Sequence, residues 1–74
     1  MLATNKFYAE WFQKPGSTIA VIEFSDSNGN WAGSHSLDFN PHNPLSFADQ
    51  VYAYADTMAI IKGGRLERCT FGGE

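Results

Sequence analysis

Cysteine and basic residues are scarce in this chain. The single cysteine, Cys69, excludes an intrachain disulfide, so a reducing compartment, or one whose redox state does not matter to the chain, fits equally well. Five lysines and arginines stand against eight acidic residues, which gives a net charge of −3, and the basic residues form no cluster. We therefore expect no direct binding to the phosphate backbone of a nucleic acid.

Long hydrophobic runs are also missing. No segment approaches the roughly 20 apolar residues that a membrane-spanning helix needs. Residues 1–6 lack the charged stretch and apolar run of a signal peptide. We expect a cytoplasmic protein, and the initial Met and terminal Gly-Gly-Glu suggest a complete small gene product. At 74 residues we expect one domain spanning residues 1–74, whose small core will struggle to bury the 15% of aromatic residues.

The pair Asn28-Gly29 lies between two alternating runs and predicts a β-hairpin with a two-residue type I′ turn. Counting outward pairs Ile22 with His35, and a slip of one residue would mix the two faces of the sheet. One face of this hairpin is nearly all apolar, and we predict that it faces the core. That face contains Ala20, Ile22, Phe24, Trp31, Gly33, His35, Leu37 and Phe39.

An earlier turn is predicted at Pro15-Gly16, because Pro fixes φ and Gly accepts a positive φ. Counting from this turn pairs Trp11 with Ala20 and puts the apolar side chains of the first strand on the same core face. A short helix over residues 5–13 is the competing interpretation, because aromatic pairs also recur there at i,i+4 spacing. We favour the strand.

A helix is predicted after the Pro-containing segment that follows Phe39. Ser46 with Asp49 resembles a capping box, and Asn43 before Pro44 is an equally good start. Gly63-Gly64 should end the helix. An apolar stripe at helical spacing runs along Phe47, Val51, Tyr54, Met58 and Ile61.

The segment from Arg65 to Phe71 reads as a fourth strand, with Leu66 and Arg68 on one side and Cys69 and Phe71 on the other. Its charges are typical of an edge strand. The predicted fold class is α+β in the order β-β-β-α-β. It comprises a three-stranded antiparallel meander, one α-helix packed on one face, and a short fourth edge strand.

No catalytic, cofactor or metal motif is apparent, and we expect a protein that is not an enzyme. His35 is expected to be buried or half-buried with a hydrogen-bond partner, although a general base is an alternative. His42 should face water in its loop, and Asp38 should point away from His35, which argues against a zinc site. Cys69 is read as a small hydrophobe rather than a nucleophile.

The sheet surface that the helix leaves uncovered, called the outer face below, is the better candidate for function. The predicted registers place two aromatics, two β-branched aliphatics and three carboxylates on it, and an exposed apolar patch often marks an interaction site. Burial in a homodimer, or strand propensity without a role, are the alternatives. The predicted partner-binding residues are Tyr8, Glu10, Phe12, Ile19, Val21, Glu23 and Asp38.

Three features together carry a resemblance to a class of proteins. They are the Asn28-Gly29 hairpin, the Phe47-to-Ile61 stripe and the acidic-aromatic outer face. With these features the chain resembles the small phage-encoded inhibitors of bacterial immunity, such as anti-CRISPR proteins. The resemblance implies steric or electrostatic blockade of a nucleic-acid-handling complex, whose basic surface would meet Glu10, Glu23 and Asp38 in the host cytoplasm.

Two other functions stay open on the sequence. One is a structural or regulatory homodimer that uses the outer face. The other is a small-molecule-binding or catalytic protein that uses His35 or Cys69.

Overall fold

A computed structural model describes residues 5–73 as one four-stranded sheet and one helix. Residues 1–4 and Glu74 lie outside the described residues, and so does most of the segment considered for a signal peptide. The α+β class and the element order are confirmed. The elements are β1 (Asn5–Gln13), β2 (Ile19–Asp26), β3 (Trp31–Asp38), α1 (Phe47–Ile61) and β4 (Gly64–Gly73).

The sheet is mixed, with the strand order β3-β2-β1-β4. β1, β2 and β3 form the expected antiparallel meander, but β4 pairs parallel to β1. The expectation of an antiparallel sheet is therefore only partly correct. A helical crossover returns the chain to the end of the sheet where β3 began, so β4 runs in the direction of β3 and β1. β4 is an edge strand as predicted, but at 10 residues it is not short.

The first hairpin has the predicted faces and a different register. Residues 5–13 form a strand, not a helix, and Trp11 pairs with Ile22 instead of Ala20. The connection is longer than two residues, and the Ser17 N–H donates to the Lys14 carbonyl oxygen at 3.0 Å. The pairing is thereby shifted by two residues. Because side chains alternate with period two, this shift leaves every side chain on its predicted face.

The second hairpin turns at Asn28-Gly29 as predicted, but not as a type I′ turn. The Gly29 N–H donates to the Asp26 carbonyl oxygen at 3.0 Å, and Gly29 has φ 82°. No non-glycine residue among residues 5–73 has a positive φ, whereas type I′ needs two successive positive values. The connection is a type I turn followed by a left-handed glycine, which is the common three-residue hairpin loop.

The Asp26 carboxylate stabilises this turn. It accepts hydrogen bonds from the backbone N–H groups of Asn28 and Asn30, both at 2.9 Å. The bond from Asn30 is the main reason that the pKa of Asp26 lies below its usual range.

A bulge in β3 follows from the three-residue loop. Phe24 pairs with Gly33, but Ser25 pairs with Trp31, so Ala32 is an extra residue opposite the β2 ladder. The prediction that Trp31 faces the core is therefore wrong: it lies on the outer face and is 69% exposed. Beyond the bulge the predicted register is confirmed.

The helix packs on the other face, which the predicted core residues occupy. Ser46 is the N-cap, and its hydroxyl accepts from the Asp49 N–H at 3.2 Å, which confirms this start over the one at Asn43. Ile61 is 69% exposed, so the predicted stripe is wrong at its last residue. The fully buried hydrophobic residues of α1 are Val51 from the stripe and two small residues, Ala55 and Ala59. The buried hydrophobic cluster consists of Phe7, Ala9, Trp11, Ala20, Ile22, Phe24, Val51, Ala55 and Ala59.

One buried polar side chain, Gln50, fixes the approach to the helix. Its carbonyl oxygen accepts from the Asn40 N–H, and its amide donates to the carbonyl oxygens of Asn40 and Leu45, each at 3.0 Å. A buried amide with these partners costs little. It holds the Pro-containing loop against the first turn of α1.

Candidate functional site: the outer face of the sheet

The predicted partner-binding residues all lie on strands of the sheet at positions that alternate with the buried ones. They therefore share the outer face, which α1 does not cover. The three carboxylates are exposed, Tyr8 and Phe12 are half-buried, and Ile19 and Val21 are 43% and 39% exposed. What the sequence did not predict correctly is which of these residues are neighbours.

Two glutamates are direct cross-strand neighbours at the centre of this face. The observed register pairs Glu10 with Glu23, whereas the predicted one paired Glu10 with Val21. Directly opposed residues have Cβ atoms about 4.5–5.5 Å apart, and like charges there are destabilising. Among residues 5–73 the one ion pair joins Arg65 to Glu67, at 3.3 Å. The two carboxylates thus face each other without a cationic partner from the described chain.

The adjacent row across the sheet carries the aromatic side chains. Its members, in strand order from β3 to β4, are Trp31, Ser25, Tyr8 and Arg68. The guanidinium carbon of Arg68 lies 5.6 Å from the centroid of the Tyr8 ring, within the range of a cation–π contact. Together with the glutamate row, this row lines an open groove of about 420 Å³.

Sequence reasoning missed Trp31 and Arg68 because each lies next to a bulge, which shifts its strand pairing. In β4 the pairing passes from Phe7–Leu66 to Tyr8–Arg68, so Glu67 is the extra residue. Leu66 therefore lies on the core side and Arg68 on the outer face, not together as predicted. The bulge beside Trp31 had a signal in the sequence, because an isolated glycine such as Gly33 inside a strand pattern indicates a bulge.

The end of the outer face away from Trp31 is more apolar, and its carboxylate already has a hydrogen-bond partner within the chain. Phe12 is opposite Val21, and its ring lies against Gly72, where a Cβ atom would clash with it. The Asp38 carboxylate accepts a hydrogen bond from the Thr18 hydroxyl at 2.8 Å. Asp38 is therefore already engaged and lies apart from the central glutamate pair.

His35 lies on the core side of β3. Its ring makes edge-on contacts with Phe24 and Tyr54, at centroid distances of 5.5 and 6.4 Å. Its Nε2 is buried and has no hydrogen-bond partner among the described residues, so the expectation of a partner is wrong for this atom. Burial, and then the nearby Lys62 ammonium, lower the pKa of His35 below 6.5.

Cys69 is distant from that histidine. It lies on β4 opposite Ala9, and burial raises the pKa of its thiol. β3 and β4 are the two edges of the sheet, so three strand spacings, or about 14 Å, separate Cys69 from His35. The two do not form a nucleophile–base pair.

Other candidate chemistry is not assembled in the part of the chain that the structure describes. Within residues 5–73, no three His, Cys, Asp or Glu side chains are grouped so that they could hold a metal ion. His42 is exposed in its loop, as predicted. Over the same residues, no helix has the length and apolar character needed to cross a membrane.

Comparisons with known proteins assign no family to the chain. No family model matches it, and no curated protein is detectably similar to it in sequence.

Proposed function

We propose that this chain is a small non-enzymatic binding protein that inhibits or modulates a larger protein complex. In this proposal it covers a basic surface of the complex with its outer face. One observation carries the proposal: the unpaired glutamates Glu10 and Glu23 lie next to the exposed Trp31 and the half-buried Tyr8. Aromatic side chains are typical anchors of interfaces, and carboxylates steer a basic partner and fix its orientation.

The charge of this face favours a different partner over a second copy of the chain. A two-fold dimer through the groove would bring four carboxylates together and supply only the two Arg68 guanidinium groups. A homodimer remains the alternative, supported by the exposed Ile19 and Val21 at the other end of the face. Light scattering at micromolar concentration separates them, because the proposal requires a monomer.

The class of partner follows from the same chemistry. Complexes that handle nucleic acids present basic surfaces, and an acidic, aromatic face of this kind could block such a surface sterically and electrostatically. This is the action expected of a phage-encoded inhibitor of bacterial immunity, of the anti-CRISPR type, in the host cytoplasm. The third possibility, catalysis or small-molecule binding, has weaker support because His35 and Cys69 lie on opposite edges of the sheet.

The test starts from a complex identified by affinity purification from a bacterial lysate and then purified. Its affinity and its inhibition are measured with the wild-type chain, with Tyr8→Ser and with Glu10→Gln/Glu23→Gln. We expect each variant to weaken binding by about tenfold or more, as for residues at an interface centre. The salt dependence of the association rate should fall for the glutamate variant.

Matched control variants come from the exposed surface of α1. Tyr52→Ser removes an exposed tyrosine, and Asp56→Asn removes an exposed carboxylate, both away from the outer face. Both should bind like the wild type. Equal affinity of the outer-face variants and the wild type would refute the proposal.

A further inference from the structure

We propose that the groove between Trp31 and Tyr8 is the anchor point of this surface and takes one arginine side chain of the partner. This inference rests on the proposed function and names the ligand chemistry of the same face.

The aromatic side chains flank a small residue. Trp31 on β3 and Tyr8 on β1 are both neighbours of Ser25 on β2. Two strand spacings separate their backbones by about 10 Å. A short serine side chain between two large rings leaves an open slot in the groove of about 420 Å³ that all three residues line.

The charge of the groove calls for one added cation. The lining residues carry two carboxylates, from Glu10 and Glu23, and one guanidinium, from Arg68. Arg68 lies at the β4 side of Tyr8, and no other residue lining the groove carries a positive charge. One incoming positive charge would neutralise the groove and relieve the repulsion between the opposed glutamates.

A guanidinium group fits these features better than an ammonium group. It is planar, stacks on aromatic rings, and its five N–H donors can reach two carboxylates at once. The contact between Arg68 and Tyr8 is an example of the same interaction within the chain, at 5.6 Å. We therefore assign the slot to arginine and not to lysine.

The test uses the tripeptide acetyl-Gly-Arg-Gly-amide as the probe and its citrulline analogue as the neutral control of equal shape. Each is titrated into the ¹⁵N-labelled chain, and the Trp31 indole N–H and the Ser25 amide are followed by NMR. We expect saturable shifts at millimolar probe concentrations, as for a single side chain, and about tenfold smaller shifts with citrulline. The buried Trp11 indole is an internal reference that should not shift.

Trp31→Ser and Glu23→Gln should each abolish the shifts caused by the arginine probe, and Tyr52→Ser should leave them unchanged. Equal shifts with the arginine and citrulline peptides would overturn the inference. Equal shifts with acetyl-Gly-Lys-Gly-amide would overturn the assignment to a guanidinium group.

The proposed function can fail separately from this inference. One outcome is that Tyr8→Ser loses partner binding, while Trp31→Ser changes neither partner binding nor binding of the probe. That outcome overturns the slot but still supports the outer face as the binding surface. The opposite outcome is that the chain binds the arginine probe, while no outer-face variant changes its affinity for the purified partner. That outcome supports the slot and refutes the proposed function.

Discussion

The Nζ atom of Lys62 donates a 3.0 Å hydrogen bond to the carbonyl oxygen of Ala32. Lys62 is the C-cap of α1, and Ala32 is the extra residue of the β3 bulge. The same ammonium lies 5.3 Å from the centroid of the Phe24 ring and next to Gly33, where a Cβ atom would be 2.9 Å from it. The end of the helix is thus tied, on the core side, to the bulge that turns Trp31 outward.

Replacing Lys62 should therefore disturb both stability and the outer face. We expect Lys62→Met to lower the free energy of unfolding by about 1–2 kcal/mol, because a charged hydrogen bond and a cation–π contact are lost. The Trp31 indole signal should shift in NMR spectra because the bulge loses its support. Lys14→Met, in the exposed loop, is the control and should change neither. A Lys62→Met chain with wild-type stability and an unmoved Trp31 signal would contradict this coupling.

The faces of the sheet could be predicted from the sequence because they depend only on alternation. Trp11 is buried as expected, although it pairs with Ile22 and not with Ala20. A shift by two residues changes the neighbours and keeps the sides. The helix was predictable for a similar reason, since its cap at Ser46 and its stop at Gly63 are local signals.

Registers, bulges and the direction of β4 could not be read in the same way. They depend on loop geometry and on the path of the crossover, and apart from Gly33, which indicates the bulge in β3, no local pattern encodes them. Glu10 pairs with Glu23 because the first loop is longer than two residues, and the sequence did not predict that length. Trp31 and Arg68 lie on the outer face because each is next to a bulge. The sequence therefore predicted which face of the sheet forms the candidate site, but not which residues on that face are neighbours.

Stability should depend on pH through His35. Its pKa in the folded chain lies below 6.5, because burial and Lys62 disfavour the imidazolium. The unfolded chain binds more protons between the folded pKa and about 6.5. The contribution of His35 to the free energy of unfolding should therefore be constant above neutral pH. It should make the free energy of unfolding fall as the pH drops below about 6.5. Urea denaturation at a series of pH values measures it.

Two variants assign this pH dependence to the correct histidine. His35→Phe keeps a ring against Phe24 and Tyr54 and should flatten the profile between pH 5 and 7. His42→Gln, in the exposed loop, should leave the slope unchanged. If instead the slope disappears with His42→Gln and persists with His35→Phe, the assignment to the buried ring is wrong.

The hairpin loop can be tested at Asn28 and Gly29, the two residues that would be central in a type I′ turn. Gly29 has φ 82°, so Gly29→Ala should cost about 1–2 kcal/mol of stability. Asn28 has a negative φ, so Asn28→Ala should cost less than about 0.5 kcal/mol. A type I′ turn would put both residues in the left-handed region. Comparable losses for the two alanine variants in urea denaturation would therefore favour type I′ over the observed turn.

The opposed glutamates should cost stability in the free chain. We expect Glu10→Gln or Glu23→Gln alone to raise the free energy of unfolding by about 0.2–1 kcal/mol, because either change removes the like-charge repulsion. The double variant should gain little more, since the repulsion is already gone after the first change. The same variants should bind the partner less tightly, which is the usual conflict between stability and a binding site.

A double-mutant cycle in urea denaturation measures this coupling and also tests the register. In the register predicted from the sequence, Glu10 is opposite Val21 and two residues away from its observed partner, so the effects of the two substitutions would simply add. Asp56→Asn on α1 is the control, and it should add to either glutamate variant without coupling, because it is on the other side of the molecule. Additive effects of Glu10→Gln and Glu23→Gln would mean that the carboxylates are not neighbours, and the groove would then lose the charge pair on which its affinity for a cation depends.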